Sequence, residues 1–162
     1  MIAMSEIRNL HPDPRCLSGR RVWHGTCVMS GEKRRYSLAD DGAPRGSCFA
    51  WEPLTNAQMA GRVLYVRISD ADETVLNGLG IEQASTIVKR DGWIAARVGD
   101  TNTYNHTLPL ELGAFTLCEI GVYTPDDWES LYALYQKGAI TYPWVAGPRN
   151  ATAAGEKGPW EL

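Results

Sequence analysis

Residues 19–27, GRRVWHGTC, place an imidazole next to a position with no side chain. If the stretch is extended, Val22, His24 and Thr26 turn to one side and Trp23 to the other, because side chains alternate along a strand. Gly25 lets a ligand approach the backbone, whose N–H and C=O can pair with a planar amide. The Thr26 hydroxyl and the His24 imidazole then add polar contacts. A lone histidine on a strand is nonetheless more often structural than chemical. A second stretch, PRGSCFAWEP at 44–53, reads either as a core strand or as a wall on which a flat ring stacks. A third, LCEIGVY at 117–123, puts Glu119 inside an apolar run, where a carboxylate is costly unless paired, exposed or used. Under strict alternation Glu119 shares its face with Leu117 and Gly121, and Gly121 leaves space beside it. Asp100, in RVGDTNT, is the second candidate carboxylate.

Other chemistries lack their residues. His24-Gly25-Thr26 fits the H-x-T of two-histidine phosphoesterases, but His106 is followed by Thr-Leu, so the second motif is broken. Cys16, Cys27, Cys48 and Cys118 form no C-x-x-C pair, and three scattered histidines give no zinc spacing. A Cys-His nucleophile, Cys27 or Cys48 with His106, stays open without a local signature. No G-x-G-x-x-G and no Walker loop follows a strand.

The 162 residues suit one domain with one core. A formal net charge of −3 gives no support for a general nucleic-acid or membrane binder, although Arg20, Arg21, Arg34 and Arg35 allow a local basic patch. The first residues lack the pattern of a signal peptide, and no apolar run reaches the ~18 residues that span a bilayer. The expectation is a soluble, cytoplasmic protein.

The elements that must position these residues interleave. Residues 1–19 read as an irregular lead-in, 20–145 as a single α+β domain, and 146–162 as a Gly/Pro/Ala-rich tail, parts of which Trp144 and Trp160 can anchor. Residues 20–30 read as a strand. Residues 30–47 read as a long polar loop with at most a short regular piece. A short helix follows, capped at Thr55 or Asn56 and closed at Gly61. RVLYVRISD is the clearest strand. DETVLNGLG reads as a turn or one helical turn, IEQASTIVKRDG as a helix closed by Asp91-Gly92, and WIAARVGD and LGAFTLCEIGVY as strands. The last helix begins at Thr124, with Pro125 at its first position, Asp126 and Asp127 at its positive end, and Trp128, Leu131, Tyr132 and Tyr135 on one face up to Gly138. Short helices among strands argue for α+β rather than a doubly wound parallel sheet.

Three segments in order carry a resemblance: Trp23-His24-Gly25-Thr26, Gly46-Ser47-Cys48-Phe49-Ala50-Trp51 and Glu119-Ile120-Gly121-Val122-Tyr123. Together they resemble the H-Y-E arrangement of the diphtheria-toxin/poly-ADP-ribose-polymerase-like ADP-ribosyltransferases, in a compact version spanning about two-thirds of the chain. The middle aromatic position holds Cys48, with Phe49 next to it, and Tyr36 or Trp51 can stand in. The resemblance implies a split antiparallel or mixed sheet core and NAD as cosubstrate without a metal. It implies cleavage of the nicotinamide–ribose bond and transfer of ADP-ribose to a macromolecular acceptor, most naturally a protein. Glu119 would stabilise the oxocarbenium-like ribose. Gly25 and Thr26 would hold the carboxamide, His24 would orient the adenosine ribose, and Cys48, Phe49 and Tyr36 would line the cofactor site. The alternative is a non-catalytic binding or inhibitor protein. Six tryptophans and seven tyrosines supply an aromatic-rich surface for a larger partner, or else fill the core.

Overall fold

The computed structural model describes residues 6–100, 106–147 and 149–150. In chain order the elements are β1 (Glu6–Ile7), β2 (Val22–Trp23), β3 (Gly25–Ser30), β4 (Lys33–Leu38), β5 (Ser47–Cys48) and α1 (Asn56–Met59). They continue with β6 (Val63–Ser69), α2 (Glu73–Gly78), β7 (Ala84–Arg90), β8 (Trp93–Val98), β9 (Leu108–Pro109), β10 (Phe115–Tyr123), α3 (Pro125–Gln136) and β11 (Arg149–Asn150). One six-stranded sheet runs β3-β4-β10-β6-β8-β7, beside a three-stranded sheet β2-β5-β9 and a pair β1-β11. Every strand pair among the described residues is antiparallel, so the fold is α+β on antiparallel sheets with few, short helices. No helix among the described residues is long and apolar enough to cross a membrane.

The helix expected before Asp91-Gly92 is a strand. Residues 84–90 form β7 and not a helix. Thr86, Ile87 and Val88 are β-branched and stiff, and Asp91-Gly92 makes a hairpin turn to β8, with Gly92 at φ 84. The short regular piece allowed within the polar stretch after residue 30 is β4, an inner strand that buries Arg34 and Tyr36. It follows β3 through the two-residue turn Gly31-Glu32, with Gly31 at φ 62. The ends of the helices follow the sequence. Thr55 and Gln58 form a capping box on α1, and Thr124 accepts from the Asp127 amide on α3.

Both faces of the large sheet are covered. Leu64, Val66, Ile94, Phe115 and Ile120 pack on one side beneath Met59, Val75, Leu108 and Leu110. Val63, Tyr65, Trp93 and Tyr123 pack on the other beneath Trp128, Leu131 and Leu134 of α3. Each of those large apolar side chains contributes about 1.5–3 kcal/mol by leaving water.

The N-terminal segment is a working part of the sheet. β4 pairs with β10 only through Phe115–Leu117. Beyond that point residues 9–14 take over the open side: the Leu10 amide donates to the Val122 carbonyl at 2.8 Å, and the Ile120 amide to the Pro14 carbonyl at 3.0 Å. The Asn9 amide group donates to the Ile120 and Val145 carbonyls, at 3.0 and 2.9 Å, while its oxygen accepts from the Val122 amide. Trp144 also donates to the Ile120 carbonyl, at 2.8 Å, which anchors the chain as its aromatic character suggests. Trp160 lies outside the described residues.

Candidate functional site

His24 interrupts the expected strand instead of lying in it. It sits between β2 and β3 at φ 49, a left-handed conformation that breaks the alternation with Val22. The ring is exposed, and its Nδ1 lies 2.7 Å from the Asp41 carboxylate. That bond holds the Asp41 carboxyl below the usual range. Thr26 is exposed and bonded to the Ser37 hydroxyl at 3.0 Å. The space over Gly25 is filled: a Cβ there would lie 2.4 Å from Leu110 Cδ1. The glycine serves close packing in this conformation and leaves no open floor for a planar amide on that side.

The middle segment belongs to the core. Cys48 is fully buried, and Phe49, Ala50 and Trp51 are buried with it. Burial pushes the Cys48 thiol up, and pushes Cys16 up to about 12, so both thiols are unreactive. Tyr36 is buried as well, and its hydroxyl accepts from the Arg20 amide at 2.8 Å. His106 packs on Trp51 with ring centroids 4.3 Å apart. Neither of its ring nitrogens has a hydrogen-bond partner among the described residues, so it forms no Cys-His pair there.

Glu119 lies on β10 just past a bulge between Leu117 and Glu119. The bulge puts Leu117 on the face with Ile120 and leaves Glu119 on the α3 face, contrary to strict alternation. The space beside Gly121 is occupied by the Tyr123 ring, which a Cβ would meet at 2.4 Å. The Glu119 carboxylate is held by Arg67 in a bidentate pair, Nε at 3.0 Å and Nη2 at 2.8 Å, and the guanidinium lies 4.6 Å from the Tyr142 ring. Hydrogen bonding to Glu119 raises the Arg67 pKa. Arg67 is the partner that the sequence reading lacked. A lone cation and a lone carboxylate inside two apolar strands were the available signal.

Glu119 lines a recess of about 290 Å³ with Arg15, Lys33, Ser69, Cys118 and Trp144. His24 is not part of it. Gly25 is level with Leu38, and Tyr36 with Phe115, so the histidine lies beyond the start of β10. The register separates it from Glu119 by roughly 15–20 Å along the strands and about 10 Å across them. Cys48 and Phe49 are in neither place. Asp100 is exposed at a third, 3.3 Å from Arg97.

The larger groove, about 420 Å³, lies between α3 and the sheet. Val63, Ile87, Pro125, Trp128 and Tyr132 line it, with Arg97, Glu129 and Gln136 as polar groups. Trp128 and Tyr132 stack at 5.5 Å, and Ile87 at the β7 bulge is 47% exposed. Trp128 and Tyr132 were legible as one helix face, whereas Ile87 was not, because its segment read as a helix. Among the described residues no group of three or more His, Cys, Asp or Glu is placed to hold a metal ion. Comparison with protein-family models, curated proteins and solved structures finds no match.

Proposed function

We propose that the chain is a binding protein that engages a larger partner through the groove between α3 and β7. The observation that carries this reading is the groove itself. It is apolar and aromatic-walled, with exposed Ile87 at its lip and Arg97 and Glu129 to orient what enters. Exposed Ile87 and half-buried Tyr132 supply the contact surface, with the buried Trp128 ring holding Tyr132 from behind. The partner presents an apolar side chain to Ile87 and Tyr132 and a polar group to Arg97 or Glu129. The test is affinity capture with wild type and with Ile87→Asp. The bound protein is expected to be lost from the variant while circular dichroism is unchanged. Equal capture by both removes the groove from the interface.

A second reading keeps the ADP-ribosyltransferase-type core, with NAD as cosubstrate and a protein as acceptor. Its support is the recess that gathers Glu119, Lys33, Arg15 and the flat Trp144 ring, groups suited to a ribose, a pyrophosphate and a nicotinamide. In this reading His24, Gly25 and Thr26 act elsewhere than beside Glu119. Nicotinamide release from NAD is the measurement. Turnover by wild type and its loss, by roughly a hundredfold or more, in Glu119→Gln are expected. Identical background in the two proteins ends the enzymatic reading.

A further inference from the structure

β3 is an outer strand of the six-stranded sheet, and its residues, GTCVMS, are all uncharged. Among the described residues its backbone bonds run to β4 alone. The two-residue turn fixes which groups point outward. Ser30 and Lys33 flank it and form a hydrogen-bonded pair, and the antiparallel ladder alternates from there. Thr26, Val28 and Ser30 therefore turn their N–H and C=O toward β4. Gly25, Cys27 and Met29 turn theirs outward, where Val28 is 60% and Met29 64% exposed. The opposite edge of the sheet is defended: β7 carries a bulge between Thr86 and Val88 and ends in Lys89 and Arg90. β3 has no bulge, proline or charge.

We propose that two copies of the chain join through β3, antiparallel, about a two-fold axis at Cys27. In that register Cys27 faces Cys27 of the second copy and Gly25 faces Met29, so all the outward amides and carbonyls of Gly25, Cys27 and Met29 are matched. On the outer face Val28 lies beside the smaller Thr26, and both are exposed. A shift by one residue would pair opposite faces of the sheet. A shift that puts Val28 on Val28 would leave Gly25 facing the turn. Charge points to a like strand. The cations of β4 are engaged within the protomer: Lys33 lies 3.6 Å from the Asp70 carboxylate, Arg35 donates to the Asp70 carbonyl at 2.6 Å, and Arg34 donates to the Leu17 and Gly31 carbonyls. β3 itself thus carries no charge to select an acidic or basic foreign strand, and an uncharged copy of itself fits it. The result is one continuous sheet closed by symmetry.

Sedimentation equilibrium of the full chain across the micromolar range tests this. Wild type is expected to be dimeric. Val28→Lys places two like charges near the axis and is expected to weaken the dimer roughly tenfold or more. Met29→Pro removes an outward N–H without touching the bonds to β4 and has the same expected effect, which keeps the test valid if Val28→Lys fails to fold. Ser85→Lys, exposed on the other edge strand and outside the groove, is expected to remain dimeric. A monomeric wild type overturns the proposal, as does a dimer that survives both β3 substitutions or one that Ser85→Lys dissolves.

Discussion

His11 and His106 are both buried, and both are neutral in the fold. The His11 ring donates from Nε2 to the Glu52 carbonyl at 3.1 Å and accepts at Nδ1 from the Asp13 amide at 3.0 Å, so a second proton would break a bond. Burial, then the Arg20 cation, lowers its pKa from 6.5 to about 4, and burial alone does the same to His106. The unfolded chain therefore takes up these protons first as pH falls. Stability from both groups is fully present well above pH 6.5 and is lost between there and about 4, by a few kcal/mol for each group at roughly 1.4 kcal/mol per pKa unit. Asp13 extends the loss. Partial burial raises its pKa, but bonds from the Ser18 hydroxyl, from Arg20 and from the amides of Ser18 and Leu17 outweigh that and hold it well below 3.8. Its contribution disappears as pH falls below that value. His106→Phe keeps the ring on Trp51 and removes two unpaired nitrogens. Urea midpoints measured from pH 7 to pH 4 are expected to rise by about 1 kcal/mol equivalent at neutral pH and to fall less steeply toward acid than those of wild type.

At the scale of elements, α3 does the most for the least sequence. Thr124, Pro125, Asp126 and Asp127 start it, and Trp128, Leu131 and Leu134 seat it on Tyr65, Trp93 and Tyr123. Leu131 has no exposure, and Leu131→Ala is expected to cost about 2–5 kcal/mol, read as a shift in the urea midpoint. The same truncation is expected to weaken partner capture, because α3 forms one wall of the groove. The start of this helix and the positions of β6, β8 and β10 were legible, since capping and periodicity are local properties, but buried Leu134 was not on the expected face. β7 was not. Its apolar residues recur at spacings that suit either period, and the hairpin turn with β8, which is not local to the segment, decided it. The bulges in β7 and β10 were equally hidden. An extra residue appears only when a partner strand sets the register, and in β10 that register turns Glu119 toward Arg67.

Across the whole molecule, the α+β class follows from short helices among many strands, and the chain reads that way without coordinates, whereas the antiparallel pairing of the described strands is decided by the sheets. The list of chemically capable residues was also in the sequence: His24, Glu119, Asp100, His106 and the cysteines. Their grouping was not. Sequence order suggested that His24, Phe49 and Glu119 meet, but order along the chain carries no information about which strands become neighbours. The sheet places β4 between β3 and β10 and offsets them by register, so the imidazole and the carboxylate end far apart. Arg67 meets Glu119 from more than fifty positions away, |i−j| being 52. The groove likewise joins Ile87 on one edge strand to Tyr132 on the last helix. Local periodicity and capping free energies act over a few residues, and they determined the elements. Burial of both sheet faces and pairing of buried charges act between elements, and only the tertiary structure decided which side chains share a site.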